Sequence, residues 1–97
     1  MLVVHVTLMA KPECRQQLID VLATDGESAR AIPGCHRFEL LGDLSEPQRL
    51  VLIEEWETAT SFAAYKSSAV FGKVMKQVPP LLAVPPKSLY VDGNIVC

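Results

Sequence analysis

The order of strand-like and helix-like segments is the feature that most constrains the fold of this 97-residue chain. Short runs of β-branched and apolar residues predict strands, and apolar residues repeating at offsets of three and four predict helices. The predicted strands lie at residues 2–10, 35–42, 49–56 and 87–92. The first helix is predicted from Glu13 to Ile32, before Pro33-Gly34.

A second helical region lies between the third and fourth strands. Thr58 is a predicted N-cap, and either Ser67 or Ser68 is predicted to cap a further helix that ends at Pro79-Pro80. The resulting order, β-α-β-β-α-β, predicts an α+β, ferredoxin-like fold, with a four-stranded antiparallel sheet and its helices on one face. A chain of this length has room for one domain, over residues 1–97.

The first and third predicted strands are apolar on both faces, as Val3-Val4 and Leu50-Val51-Leu52-Ile53 illustrate. A sheet with one face in water alternates apolar and polar residues instead. Because the helices cover one face, we expect a second copy of the chain to cover the other, as a homodimer.

Composition excludes several classes of protein. The net charge of −2 argues against a nucleic-acid partner, and no apolar run approaches the ~20 residues of a membrane span. The apolar start of the chain has no basic region before it and meets Lys11-Pro12 at once, so we do not expect a signal peptide. Cys14, Cys35 and Cys97 are odd in number and lack CxxC spacing, which favours reduced thiols in a cytoplasmic protein.

No motif for a nucleotide phosphate and no set of closely spaced metal ligands is present, so we expect no cofactor and no metal. The short motifs that remain resemble those of the antibiotic biosynthesis monooxygenase family, whose members form dimeric α+β barrels. The motifs that carry the resemblance are Ala10-Lys11-Pro12, Ile32-Pro33-Gly34-Cys35, Glu54-x-Trp56 and Phe62-x-x-Tyr65-x-x-Ser68-x-x-Phe71.

The resemblance implies two sheets packed face to face and a pocket between sheet and helices in each subunit. Many quinol-oxidising relatives carry histidine at the positions of Tyr65 and Val70. Haem-degrading relatives use asparagine, tryptophan and histidine at the positions of His5, Tyr65 and Met75. Since the iron-binding histidine is absent, the resemblance disfavours haem degradation.

His5 and Tyr65 are the predicted catalytic residues. Strand alternation places His5 and Thr7 on one face, which the resemblance implies is the pocket face. His5 would act as a general base, or else be a partly buried histidine with a structural hydrogen bond. Tyr65 would hold a substrate oxygen, or be an amphipathic core residue.

Five further residues are predicted to line the substrate pocket together with Thr7, although each also suits a structural role. Glu54 could pair with Arg37 or Lys66 instead of acting on substrate, and Trp56 could be an aromatic wall or a core residue. The five residues are Glu54, Trp56, Phe62, Phe71 and Met75.

The resemblance implies a cofactor-independent monooxygenase that oxidises a small aromatic ligand, a phenol or quinol, with dioxygen. Because fold does not fix function, two alternatives stay open. One is a binding or stress-associated module without turnover. The other is an isomerase or lyase of a small carbonyl compound, in which His5 would move a proton between carbons.

Overall fold

The predicted elements are present with closely similar bounds in the computed structural model, which describes residues 1–96. These residues form four strands and three α-helices: β1 (Leu2–Met9), α1 (Arg15–Arg30), β2 (Cys35–Gly42), β3 (Arg49–Trp56), α2 (Ala59–Lys66), α3 (Ala69–Gln77) and β4 (Lys87–Asp92). Short 3₁₀ turns at Pro12–Cys14 and Pro79–Leu81 precede α1 and follow α3, at prolines that an α-helix interior would not tolerate.

The four strands form one antiparallel sheet in the order β2-β3-β1-β4. β2 and β3 are joined as a hairpin, and β1 lies between β3 and β4. This topology confirms the predicted α+β, ferredoxin-like fold.

Caps and one glycine fix how the helices meet the sheet. The hydroxyls of Thr58 and Ser68 accept hydrogen bonds from the backbone N–H groups of Ser61 and Phe71, which confirms Thr58 and selects Ser68 over Ser67 as the second cap. Gly34 has φ +90°, and a Cβ atom there would collide with Ser61. Glycine is therefore required where the chain turns from α1 into β2.

The helices cover one face of the sheet, called here the helix face. Its central residues on β1 and β3 are paired across the strands as Leu8 with Leu50, Val6 with Leu52 and Val4 with Glu54. Apart from Val6, these side chains are buried. The core therefore lies between this face and the helices, and it includes a carboxyl group.

The other face, called here the open face, carries the alternate residues of the same strands. His5 lies there between Ile53 of β3 and Leu89 of β4. Leu89 is 58% exposed and His5 is also exposed, whereas Ile53 is half-buried. No helix covers this face within the described residues, which agrees with the two-sided apolar pattern seen in the sequence.

The cysteines and the hydropathy of the helices bear on further predictions from the sequence. Cys14 and Cys35 are half-buried free thiols, and Cys97 lies outside the described residues. Among residues 1–96, no helix combines the length and the hydropathy needed to cross a bilayer.

Candidate functional site

A cavity of about 480 Å³ lies between the helix face of the sheet and helices α2 and α3. Its wall is mainly apolar, which is typical of a site for a small organic ligand. The sheet contributes Val4, Val6, Leu8, Leu52, Glu54, Ser88 and Tyr90, and α2 and α3 contribute Phe62, Tyr65, Lys66, Phe71, Val74 and Met75.

The cavity brings together most of the predicted pocket residues. Glu54 lies on its floor, and Phe62, Tyr65, Phe71 and Met75 lie above it on the helices. These side chains of α2 and α3 thus form one wall of the cavity. Met75 is 57% exposed, which places it toward the mouth of the cavity rather than its interior.

His5 and Thr7 do not lie at this cavity, and the prediction that His5 shares a site with Tyr65 is wrong. Val4, Val6 and Leu8 of β1 face the cavity, so the intervening His5 and Thr7 project from the open face. Facing residues alternate along a strand, so a shift of one residue exchanges the two faces of β1. Because β1 is apolar on both faces, its sequence did not decide which set of residues faces the helices.

Trp56 is not among the residues that line the cavity. It is completely buried behind Tyr65, with the two rings stacked at a centroid distance of 5.2 Å. Phe71 meets Tyr65 edge-on at 5.3 Å. Trp56 is therefore a core residue that supports the cavity wall, the second of the two roles the sequence left open.

Glu54 is the most unusual residue of the site, since it is a carboxyl group only 3% exposed on the sheet floor. Its Oε1 accepts a 2.9 Å hydrogen bond from the indole N–H of Trp56. Burial, the largest cause, and the charge of Asp25 together raise the pKa of Glu54 from its ordinary 4.5 to about 7, against the lowering effect of that hydrogen bond. Glu54 can thus both accept and release a proton near neutral pH.

Neither cation proposed as an ionic partner of Glu54 forms a salt bridge with it. Arg37 instead bonds to Glu39 and Glu55 on the open face. Lys66 does line the cavity, with its ammonium group 5.3 Å from the centre of the Phe62 ring. Of these two cations, Lys66 is therefore the one at the cavity.

Asp25 of α1 is a member of the site that the sequence analysis did not identify. It is 5% exposed, and its Oδ2 accepts a 2.8 Å hydrogen bond from the hydroxyl of Tyr65, while its Oδ1 is buried without a partner. Burial raises the pKa of Asp25, against the effect of that bond. Burial also raises the pKa of Tyr65, and the charge of Asp25 adds to it.

A sequence signal for Asp25 did exist. It lies three residues after Leu22 and four before Ala29, which places it on the apolar face of α1. An acid in such a stripe needs a buried hydrogen-bond partner. The next residue, Gly26, lets α1 pack closely on β2, because a Cβ there would lie 3.0 Å from the Arg30 guanidinium and 3.3 Å from the Phe38 ring.

Metal ligands are not clustered in the described part of the chain. Over residues 1–96, no three His, Cys, Asp or Glu side chains come together in a group that could hold a metal ion. The groups at the cavity that can carry out chemistry are thus a carboxyl with a near-neutral pKa, a tyrosine hydroxyl bonded to a second carboxyl, and one ammonium group.

Comparison with solved structures shows that this fold is widespread. A protein from Nitrosomonas europaea classed with the antibiotic biosynthesis monooxygenases is 27% identical, with a TM-score of 0.91 over 96% of this chain and 98% of that one. Rv0793 from Mycobacterium tuberculosis is 22% identical, with a TM-score of 0.92 over 98% and 96% of the two chains. A Deinococcus radiodurans protein is 19% identical, with a TM-score of 0.92 over 100% and 96%.

No functionally curated protein matched the sequence. The sequence model of the antibiotic biosynthesis monooxygenases, however, matches residues 1–77, which hold β1 to α3 and thus most of the cavity wall. The motifs noted in the sequence fall within the same range. The chain therefore belongs to the antibiotic biosynthesis monooxygenase family.

Proposed function

We propose that the protein is a monooxygenase that oxidises a small phenol or quinol with dioxygen, without a resident cofactor, in the cavity between sheet and helices. The observation that carries the proposal is an apolar, aromatic-walled cavity of about 480 Å³ with a single acid, Glu54, among the described residues that line it. Membership of the monooxygenase family supports the class of reaction.

The cavity suits a flat aromatic ligand. Phe62, Phe71 and Tyr90 offer ring faces and edges, and aromatic pairs contribute about 0.5–1.5 kcal/mol beyond their buried area. Lys66, at the Phe62 ring, supplies a positive charge that would stabilise a phenolate. An electron-rich phenolate can itself transfer electrons to dioxygen.

The proposed reaction balances without an external reductant. Loss of the hydroxyl proton gives a phenolate, and dioxygen then bonds to a ring carbon as a peroxide. The O–O bond breaks as that carbon loses its hydrogen, which leaves a quinone oxygen on the ring. The second oxygen atom departs as water, and the two protons removed from the substrate balance the two hydrogens in that water.

Glu54 is the group we assign to proton transfer inside the cavity, in place of His5, which does not lie there. A pKa of about 7 gives the carboxyl a substantial fraction of each protonation state at neutral pH. The hydrogen bond from Trp56 to Oε1 fixes the carboxyl on the sheet floor. Its other oxygen has no hydrogen-bond partner among the described residues and so is free for substrate.

We also propose that the protein acts as a homodimer, with the open faces of two sheets packed together. Val3, Val51 and Ile53 are half-buried there, and Leu89 and Val91 are 58% and 45% exposed. Packing a second copy on these residues would remove apolar surface from water, which is the main driving force for association. The cavities would then lie on the outer sides of the two sheets.

Oxygen uptake with a panel of naphthols and hydroquinones tests the function. Wild type should consume dioxygen and form the quinone, and Glu54→Gln should lower kcat by about 10²–10⁴-fold, the usual value of a positioned general base. Glu57→Gln is the matched control, since Glu57 is an exposed acid next to the same strand. Binding of these compounds with no oxygen uptake would favour a binding module instead.

A further inference from the structure

Asp25 belongs to two sites at once. It accepts the hydrogen bond from Tyr65, which lines the cavity, and it also lines a separate groove of about 350 Å³ between α1 and α3. This groove, called here the α1–α3 groove, is lined by Asp20, Val21, Thr24, Asp25, Ser28, Val70, Lys73, Val74 and Gln77. Tyr65 and Asp25 thus connect the interior cavity to a groove on the outside of the helices.

The direction of the hydrogen bond determines what Tyr65 can do for a ligand. A tyrosine hydroxyl has one proton and two acceptor lone pairs, and the Tyr65 proton is donated to Asp25. Tyr65 can therefore meet a substrate hydroxyl only as an acceptor. The substrate would donate to Tyr65 and Tyr65 would donate to Asp25, in a line that leads out of the cavity.

We infer that Tyr65 and Asp25 form a proton route that takes the substrate's hydroxyl proton from the cavity to the α1–α3 groove. The substrate proton bonds to Oη of Tyr65 as the tyrosine's own proton bonds to Oδ2 of Asp25. Tyr65 remains neutral throughout, and the phenolate left behind accepts a hydrogen bond from it. The inference rests on the proposed function and assigns the hydroxyl proton to Asp25 and the ring-carbon proton to Glu54.

The surroundings of Asp25 favour a proton acceptor rather than a fixed ion. Its Oδ1 is buried without a partner, so the carboxylate is incompletely stabilised, in keeping with a raised pKa. Asp20 and Lys73 line the groove beside it, and the charge of Asp25 itself raises the pKa of Glu54 on the sheet. The groove gives the proton a way to solvent that does not cross an apolar cavity filled by substrate.

4-Nitrophenol is a suitable probe, because its phenolate absorbs visible light and its electron-poor ring resists oxidation. If Asp25 takes the proton of the bound probe, the probe and Asp25 share one proton, so a fraction of the bound probe should remain phenolate below the free pKa of 4-nitrophenol. This fraction should not change with pH while the proton is shared, and it is called here the plateau. In Asp25→Asn, which keeps an oxygen to accept from Tyr65, the phenolate should instead fall about tenfold per pH unit.

Three further variants separate this route from its alternatives. Tyr65→Phe should reduce the phenolate fraction roughly 10- to 150-fold, since it removes a hydrogen bond to a charged oxygen. Glu27→Gln changes an exposed acid of the same helix that lines neither the cavity nor the α1–α3 groove, and it should leave the plateau unchanged. If the plateau survives Asp25→Asn and disappears in Glu54→Gln, Glu54 is the acceptor and the inference is wrong.

The outcomes also separate this inference from the proposed function. A plateau that depends on Asp25, without oxygen uptake on any phenol, would contradict the proposed monooxygenase function but support the proton route through Tyr65 and Asp25. Oxygen uptake without a plateau would overturn the route alone, and failure of every phenol to bind would count against both. Thermal melts identify variants that fail to fold. If Tyr65→Phe fails to fold, the double variant Asp25→Asn with Tyr65→Phe replaces it, because the double variant has no buried carboxylate left without a hydrogen-bond partner.

Discussion

The indole N–H of Trp56 donates a 2.9 Å hydrogen bond to Oε1 of Glu54, two residues earlier on the same face of β3. A completely buried tryptophan thus satisfies its N–H with a carboxyl group that is itself nearly completely buried. The bond is compatible with both protonation states of Glu54, because a neutral carboxyl can still accept through one oxygen. Glu54 can therefore change charge without losing the contact that holds it in place.

Burial of Glu54 predicts a pH-dependent stability. Its pKa of about 7 in the folded state lies above its ordinary 4.5, so the folded protein holds the proton more tightly than the unfolded chain does. The free energy of unfolding should then decrease as pH rises from about 4.5 to about 7, by roughly 3 kcal/mol from this group. Glu54→Gln removes this dependence while its amide oxygen can still accept from Trp56.

The measurement is the difference in Tm between Glu54→Gln and wild type, at equal protein concentration. This difference should shift in favour of the variant by roughly 10–20 °C between pH 5 and pH 8, where about 2.5 kcal/mol is lost, since each kcal/mol moves Tm by about 4–8 °C in a domain of this size. The exposed Glu57→Gln should show no such change. A difference in Tm that does not vary with pH would mean that Glu54 ionises freely.

Glycine substitutions should have opposite effects at two positions. Gly34→Ala should destabilise the fold by about 1–3 kcal/mol, because φ is +90° and the added Cβ collides with Ser61. Gly72→Ala should stabilise it by about 0.5–1 kcal/mol, since a Cβ there meets nothing within 4 Å on helix α3. Urea unfolding of both variants tests this, and equal effects would contradict the turn geometry.

The sequence predicted the fold more completely than the site. The bounds of β2 and β3 were predictable because turn residues and charges bracket two apolar runs. Along β1 the apolar residues occupy both alternating sets, so alternation alone could not decide whether Val4 or His5 faced the helices. In the structure Val4 pairs with the buried Glu54, so Val4 faces the helices and His5 does not. This pairing between strands cannot be predicted from the periodicity of β1 alone.

Asp25 shows a second limit of sequence analysis. Its position on the apolar face of α1 was readable, but its partner Tyr65 lies 40 residues away and meets it only after both helices pack on the sheet. Glu54 and Trp56 were predictable as neighbours on one face because they are two residues apart. Local spacing therefore placed Glu54 beside Trp56, but the sequence offered Arg37 or Lys66 as the partner of Glu54, and the hydrogen bond from Trp56 is known only from the structure.

Removal of metals should leave the proposed oxygenase unaffected. After dialysis against a chelator and gel filtration, the rate of oxygen uptake should match that of untreated protein, because the proposed reaction draws its electrons from the phenolate. The absorbance spectrum of freshly purified protein provides a parallel measurement, with no flavin or haem band expected. A rate lost on chelation and restored by an added metal ion would contradict the proposal.

A charge at the centre of the open face should weaken the proposed homodimer. Ile53 is half-buried between His5 and Glu39 on this face, and Ile53→Lys would place a charge in the interface twice, once from each subunit. Loss of one buried isoleucine costs about 1.5–3 kcal/mol, so two should raise the dimer Kd by at least about 100-fold. Light scattering over a concentration series measures this, with the exposed Glu57→Lys as control.

Wild-type protein that stays a monomer at high micromolar concentration would contradict the dimer outright. A wild-type dimer that Ile53→Lys does not weaken would place the interface elsewhere on the molecule.

His5→Asn should leave oxygen uptake unchanged, because His5 projects from the open face and the cavity lies on the other side of the sheet. Asparagine keeps a polar side chain there but cannot act as a base near neutral pH. The experiment compares kcat for His5→Asn and Glu54→Gln on the same phenol, with light scattering to confirm that both have the same oligomeric state. A loss of about 10²–10⁴-fold in His5→Asn, with Glu54→Gln unaffected, would return the general base to His5 and require a substrate site at the open face between two subunits.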